Sequence, residues 1–172
     1  TVVCGCGGGE AVRDALPAVL SRSARLVLDA DALNAVASDT VLRRLLAARA
    51  NRGLTTVLTP HPLEAARLLG CSTADVQSER LRSAAALAAE LKSVIVLKGS
   101  GTVIAAPARA SRINSTGSAA LASGGTGDVL AGWIGGTWSQ SSEAATSSDS
   151  LDAAFRCATS AVWLHGAAGE AR

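Results

Sequence analysis

The chain has 172 residues, 48% of them hydrophobic, with one Phe, three Trp, no Tyr and a net charge of +2 from 16 basic and 14 acidic groups. That composition excludes disorder, collagen and coiled coil. The scattered cations and scarce aromatics argue against a nucleic-acid partner. No apolar stretch reaches the roughly 20 residues that cross a bilayer, and nothing at the start resembles a signal peptide, so a cytoplasmic protein with no membrane partner is expected. A single domain of this length buries roughly 70% of the surface its unfolded chain exposes. The sequence contains no Met, and the expectation is that Thr1 follows further residues of a longer polypeptide. Cys4, Cys6, Cys71 and Cys157 lack paired C-x-x-C spacing and read as reduced structural thiols.

In chain order, Val2-Val3-Cys4 reads as a strand and Gly5-Cys6-Gly7-Gly8-Gly9 as the loop before a helix starting near Glu10. The loop is either a phosphate approach or a strand-to-helix turn, because it lacks the full G-x-G-x-x-G spacing. Leu26-Val27-Leu28 is a buried strand, and Asp29 and Asp31 just beyond it either line a site or cap the next helix. A helix over Val41–Ala50 and a strand over Leu54–Leu58 follow. Thr59-Pro60-His61-Pro62-Leu63-Glu64 then presents His61 on a proline-stiffened turn, with Glu64 in the first turn of a helix over Leu63–Leu69. Glu64 either holds a hydrated Mg²⁺ near phosphates or complements the helix dipole.

Ser72–Leu91 carries helical apolar spacing with Ser72 or Thr73 as N-cap, and Val94–Leu97 is another buried strand. Lys98-Gly99-Ser100-Gly101-Thr102 leads from it to Val103-Ile104, as a nucleotide-holding loop or an ordinary hairpin turn. Ser123-Gly124-Gly125-Thr126-Gly127-Asp128 precedes an apolar helical run, an arrangement that gathers amides where an anion is favoured. Asp128 is then a helix-start carboxylate or a general base aimed at a hydroxyl. Ser139–Ser150 reads as a loop or mobile insertion. Leu151–Ala168 is helical, its apolar face formed by Phe155, Ala158, Val162 and Trp163, and His165 on it reads as a surface or packing residue. Strand and helix alternate throughout, which argues for an α/β layered domain with ligands beyond the carboxyl ends of its strands.

Five motifs in order, V-C-G-C-G-G-G, V-L-D-A-D-A-L-N, L-T-P-H-P-L-E, V-I-V-L-K-G-S-G-T-V-I-A and I-N-S-T-G-S-A-A-L-A-S-G-G-T-G-D-V-L-A-G, resemble those of the ADP- or ATP-dependent NAD(P)H-hydrate dehydratases. The resemblance covers Val2 to about Gly169. It implies a ribokinase-like three-layer α/β/α domain over 1–172 with a mostly parallel central sheet, lacking its N-terminal strands. It also implies repair of (6S)-NAD(P)HX, in which ADP or ATP with Mg²⁺ phosphorylates the hydrate hydroxyl and phosphate leaves by elimination. By the same resemblance Asp128 is the base and Gly125, Thr126 and Gly127 form the anion hole. Lys98, Gly99, Ser100, Gly101, Thr102 and Gly127 hold the nucleotide. Gly7, Gly9, His61 and Asp128 contact the hydrated dinucleotide, Asp29, Asp31 and Asn114 line the site, and Glu64 organises Mg²⁺ through water.

A homo-oligomer is expected, fused to or working with an NAD(P)HX epimerase domain. Family members usually carry G-P-G-L-G in the first loop, so that loop's rigidity and its Leu contact do not transfer to Gly5–Gly9. Two alternatives stand beside this reading. One is a kinase of the same superfamily acting on a hydroxymethylpyrimidine or hydroxyethylthiazole, although such kinases more often resemble T-P-N at the T-P-H-P segment. The other is a non-catalytic nucleotide-binding fragment.

Overall fold

Short runs of β-branched and Leu residues, each closed by Gly, Pro or a charge, become the strands of one sheet, and the Ala-rich intervals become its helices. The computed structural model describes residues 1–141 and 147–171. Its strands are β1 (Val2–Cys4), β2 (Arg25–Leu28), β3 (Thr55–Leu58), β4 (Val94–Leu97), β5 (Val103–Ala105) and β6 (Arg112–Ile113). They lie in the spatial order of the chain. β1 to β4 are mutually parallel, while β5 and β6 continue the sheet by antiparallel pairing.

The helices between parallel strands are α1 (Ala11–Arg22), α2 (Ala30–Ser38), α3 (Thr40–Ala48), α4 (Pro62–Leu69), α5 (Thr73–Ser78) and α6 (Arg80–Leu91). Because the strands advance in one direction, crossovers of one hand stack all six on one face. α7 (Thr126–Ser139) and α8 (Ser147–Glu170) cover the other. The two-residue period of the strands sorts the core accordingly. Leu26, Leu28, Leu58, Ile95, Leu97 and Val103 pack with α1 to α6. Val27, Val57, Val94, Val96 and Ile104 pack with Leu130, Ile134 and Trp138 of α7 and with Phe155, Ala158 and Val162 of α8. The expected three-layer architecture is observed. Gly135 lets α7 lie directly on the first strand, since a Cβ there would overlap the Val3 side chain. β1 is the outer strand on that side, and Val2 and Val3 are half-exposed.

Several details differ from expectation. The single helix expected over Ser72–Leu91 is two, broken where Glu79 leaves helical geometry (φ −133°, ψ 47°). Ser72 does cap the first piece, in a reciprocal box with Asp75. β6 was not anticipated, since a two-residue exposed strand has no apolar alternation to show. Trp163 is 52% exposed and off the apolar face, whereas Phe155, Ala158 and Val162 are buried as expected. Of the tract expected as a loop, Ser139 ends α7 and 147–150 open α8, while residues 142–146 lie outside the described residues. All four cysteines are free thiols.

Candidate active site

The carboxyl ends of the parallel strands are stitched by main-chain hydrogen bonds that run ahead of the ladders. Asp29 N–H donates to Cys4 C=O at 3.1 Å, Thr59 N–H to Leu28 C=O at 3.1 Å and Lys98 N–H to Pro60 C=O at 2.8 Å. The first residues of the motif loops therefore line up along one edge. Asp29 occupies the cap position of α2, but its side chain bonds no helix amide. It is 1% exposed, and its Oδ1 accepts from the Lys98 ammonium at 2.7 Å. Its Oδ2 accepts from the Cys6 thiol at 3.9 Å. The Asp29 carboxylate thus caps no helix amide and is turned to Lys98 and Cys6 instead.

The corner is tight and strained. Ala30 has φ 47°, a left-handed conformation that costs a non-glycine residue on the order of 1 kcal/mol and is found at functional sites. Gly5 (φ +120°) is obligatory, because a Cβ would collide with Asp29 C=O and Ala32. Asp31 Oδ2 accepts from Gly9 N–H at 2.8 Å, which ties the glycine loop to the same corner.

Lys98 to Thr102 joins β4 to β5 as a hairpin loop and also forms part of a cavity wall. The Thr102 hydroxyl closes the loop by donating to Gly99 C=O at 2.9 Å. Arg80 clamps it from outside, donating to Leu97 C=O, Lys98 C=O and Gly101 C=O at 3.1–3.4 Å. Gly99 admits that guanidinium, which a Cβ would meet at 3.1 Å.

At the start of α7, Gly125 turns the chain in a left-handed conformation (φ 87°). The Thr126 hydroxyl fastens the turn by donating to Leu121 C=O and Ser123 C=O, each at 2.8 Å. Gly127 and Asp128 follow in the first helical turn, where amides have no intrahelical carbonyl to bond. Lys98 Nζ lies 3.3 Å from where a Gly127 Cβ would stand, so the missing side chain admits the ammonium beside these amides. Asp128 is exposed, and its carboxylate lies within 4.8 Å of Cys6 Sγ and an Asp29 oxygen. Burial pushes the Cys6 thiol up to about 11, with the charges of Asp29 and Asp128 adding to the effect and Lys98 opposing it. The thiol therefore stays protonated at neutral pH, and the proton it keeps is the one donated to Asp29 Oδ2.

A cavity of about 670 Å³ opens beside this point. Lys98 to Thr102, Asn114 to Ala119, Thr126 and Gly127 supply its polar wall, and Leu121, Leu130 and Val162 its apolar one. Asn114 holds its own turn, its amide donating to Thr116 C=O at 2.9 Å. α8 forms the back wall through His165 and Gly166. His165 stands edge-on to Trp133 with ring centroids 5.9 Å apart, and burial holds its imidazole below the usual range, opposed by a hydrogen bond to the Thr126 main chain. A Cβ on Gly166 would overlap Thr116, and one on Gly169 would lie 2.6–2.8 Å from Leu121, so two helical glycines let the 114–121 segment rest on α8.

The sequence model of the family described as NAD(P)H-hydrate dehydratase matches residues 1–172. The chain belongs to that family. It is 40% identical over 171 residues to an ADP-dependent (S)-NAD(P)H-hydrate dehydratase of Neisseria meningitidis serogroup B, covering 98% of this chain and 53% of that protein. The ADP/ATP-dependent NAD(P)H-hydrate dehydratase of Bacillus subtilis, co-crystallised with ATP and Mg²⁺, superposes with a TM-score of 0.66 at 35% identity, over 94% of this chain and 51% of that one. A ribokinase-like superfamily protein of Enterococcus faecalis superposes with a TM-score of 0.70 at 26% identity, over 98% of this chain and 54% of that one. The chain thus spans about half the length of these relatives.

In this member of the dehydratase family, the residues singled out in the sequence fall into four groups. Cys6, Asp29, Lys98, Gly127 and Asp128 converge at one point, and Lys98 to Thr102, Asn114, Thr126 and Gly127 line the adjoining cavity. His61 and Glu64 stand on the neighbouring turn and do not line it. His61 Nδ1 accepts from Leu63 N–H and Glu64 N–H, while Glu64 Oε2 accepts from His61 N–H at 2.8 Å and its Oε1 lies 3.4 Å from His61 Nε2. Glu64 is 4% exposed, so its carboxylate is occupied in a buried capping box. Gly7 and Gly9 turn the exposed first loop with left-handed φ of 63° and 55°. Sequence reasoning missed Arg80 and the cavity-lining role of His165 and Gly166. The H-G-A-A-G spacing on an otherwise apolar helix was the available signal for the last two.

Proposed function

We propose that the chain carries out the ADP- or ATP-dependent dehydration of (6S)-NAD(P)HX to NAD(P)H. One observation carries the reading: Asp128 lies at an amide-rich helix start, beside Lys98 and a cavity large enough for a nucleotide, in a chain of the dehydratase family. The nucleotide occupies that cavity, with Lys98 to Thr102 along it and its terminal phosphate at the Gly125–Gly127 turn. Asp128 accepts the proton of the hydrate hydroxyl as the oxygen attacks the terminal phosphorus, whose bond to the bridging oxygen breaks and releases the nucleotide one phosphate shorter. The Gly127 amide and the Lys98 ammonium stabilise the charge that spreads over the phosphoryl oxygens. Phosphate then leaves with its C–O electron pair as the adjacent ring carbon gives up a proton to solvent, restoring the ring double bond. Asp29 keeps the Lys98 ammonium in place, and Asp31 and Gly9 fix the loop that faces the dinucleotide together with Gly7 and His61.

Magnesium suits this donor set only as a hydrated ion riding on nucleotide phosphates. The oxygens of Glu64 are already engaged, so its link to such an ion runs through water. When bound, the ion neutralises phosphate charge.

A second reading, nucleotide binding without turnover, draws on the span of half the relatives' length and on the half-exposed outer strand β1. Incubation with NADHX, Mg²⁺ and ADP or ATP, followed by the absorbance of reduced nicotinamide, separates the two. Regeneration with either nucleotide supports the dehydratase. Calorimetric binding of ADP without regeneration overturns it in favour of the second reading.

A further inference from the structure

The convergence of Cys6, Asp29 and Asp128 has a chemistry that the proposed reaction leaves unused. Their ligand atoms, one sulfur and two carboxylate oxygens, all lie within 4.8 Å of one another. A tetrahedral zinc ion with Zn–S of about 2.3 Å and Zn–O of about 2.0–2.2 Å places its ligand atoms about 3.4–3.6 Å apart, so the cluster closes on one by shifts of about an ångström. Three further observations favour a cation here. Asp29 divides its oxygens, Oδ1 serving Lys98 at 2.7 Å while Oδ2, in a side chain 1% exposed, has among the described residues only the thiol at 3.9 Å as hydrogen-bond donor, and sulfur is a weak donor. Gly127 of α7 faces Oδ2 without a side chain, and an added Cβ there would stand in ordinary contact with it at 3.9 Å. Two carboxylates face one ammonium, which leaves the cluster net negative. Asp128 is exposed and gives a route in from solvent.

We propose that Cys6 Sγ, Asp29 Oδ2 and the Asp128 carboxylate form a binding site for a borderline-soft divalent cation of the zinc or cadmium kind, with water as fourth ligand, and that its occupation shuts the active site. The metal–sulfur bond forms as the thiol proton leaves to solvent, with no change of oxidation state. Mg²⁺ does not compete for the site, since it demands an all-oxygen octahedron. The inhibitory consequence rests on Asp128 being the base, whereas the binding itself does not.

The test is a titration of the chain with Cd²⁺ alone, read by the ultraviolet thiolate-to-cadmium charge-transfer band. A saturable band at one cadmium per chain is expected, retained in Cys71→Ser and lost in Cys6→Ser. In the unmutated chain, Cd²⁺ should also slow alkylation of Cys6, located by fragment-ion sequencing, without slowing that of Cys71. This second reading keeps the test decisive where Cys6→Ser folds poorly. In the NADHX assay at fixed Mg²⁺, Zn²⁺ should inhibit the unmutated chain. Cys6→Ser should need far more zinc for equal inhibition, beyond the roughly tenfold typical of losing an outer partner of a metal site. A band that survives Cys6→Ser, or Cys6 alkylation indifferent to Cd²⁺, overturns the site. Absence of turnover before any zinc is added overturns the dehydratase reading instead, and leaves the cadmium result to stand by itself.

Discussion

Arg49 at the amino edge of the sheet and Asp29 at its carboxyl edge are each 1% exposed. The guanidinium of Arg49 donates to Thr56 Oγ1 at 2.8 Å, Ser23 C=O at 2.8 Å, Thr55 C=O at 3.2 Å and Leu20 C=O. It joins the end of α1 to the starts of β2 and β3, and its partners are neutral oxygens. Burial, with Arg52 nearby, pulls it down to about 10, and each of its three nitrogens donates to an oxygen. Asp29 is held by one ammonium, and its second oxygen faces a thiol. One buried charge is saturated and holds the fold together; the other is left with capacity to spare beside a strained residue and an open cavity. Degree of satisfaction, more than depth of burial, separates a structural charge from a functional one.

The largest effect expected from breaking that comparison lies at the carboxyl edge. Asp128→Asn removes the proton acceptor and keeps its shape, so turnover of NADHX should fall by about 10²–10⁴. ADP affinity, measured by calorimetry, should stay within a few-fold. Turnover near that of the unmutated chain would remove Asp128 from the role of base. At the amino edge, Arg49→Met should leave four buried oxygens without their donor and cost on the order of 3 kcal/mol, read from urea unfolding. ADP affinity at a temperature where the variant is folded should not change. A large loss of affinity there would mean that the two edges are coupled.

Gly127→Ala sharpens the distinction because its two effects have opposite signs. Ala in the first turn of α7 should stabilise the fold by about 0.5–1 kcal/mol, and the flexible end of Lys98, 3.3 Å from the new Cβ, can move aside. That movement takes the ammonium from the amides it serves, so turnover should fall about tenfold while the unfolding midpoint rises. A parallel fall of both would make Gly127 a packing glycine only.

What could be read in the sequence follows from how local each determinant is. β2, β3 and β4 were legible because Leu26, Val57 and Ile95 belong to short apolar runs ended by charge or proline, and the loops because Gly, Pro and Asp dictate turns within a few residues. Ser72 announced its helix through a box with Asp75 three residues on. The break at Glu79 was not legible, since the Ala-rich pattern runs through it. The clamp from Arg80 to Gly101 spans 21 residues and exists only once the sheet is built. Asp29 was ambiguous because a residue between strand and helix can cap or line a site. Its partner Lys98 lies 69 positions away. His165 reads as a surface or packing residue, and it does pack on Trp133, but nothing near it in the chain reveals the 114–121 segment with which it lines the cavity.

The smallest expected effect measures the field at the carboxyl edge directly. A thiol raised from 9.0 to about 11 holds about a hundredfold less thiolate near neutral pH than an unperturbed one. A more basic thiolate is also intrinsically more nucleophilic, which recovers about tenfold of that loss. Cys6 should therefore react with iodoacetamide about tenfold more slowly than the exposed Cys71, timed by mass spectrometry of the two peptides. The same shift has a sign for stability. Between pH 9 and 11 the unfolded thiol releases its proton while the folded one keeps it, so the unfolding free energy should decline as pH rises through that window, and less so in Cys6→Ser. Cys6 reacting as fast as Cys71 would mean that burial and the charges of Asp29 and Asp128 do not together raise its thiol, and the contrast with the saturated charge at Arg49 would lose its electrostatic basis.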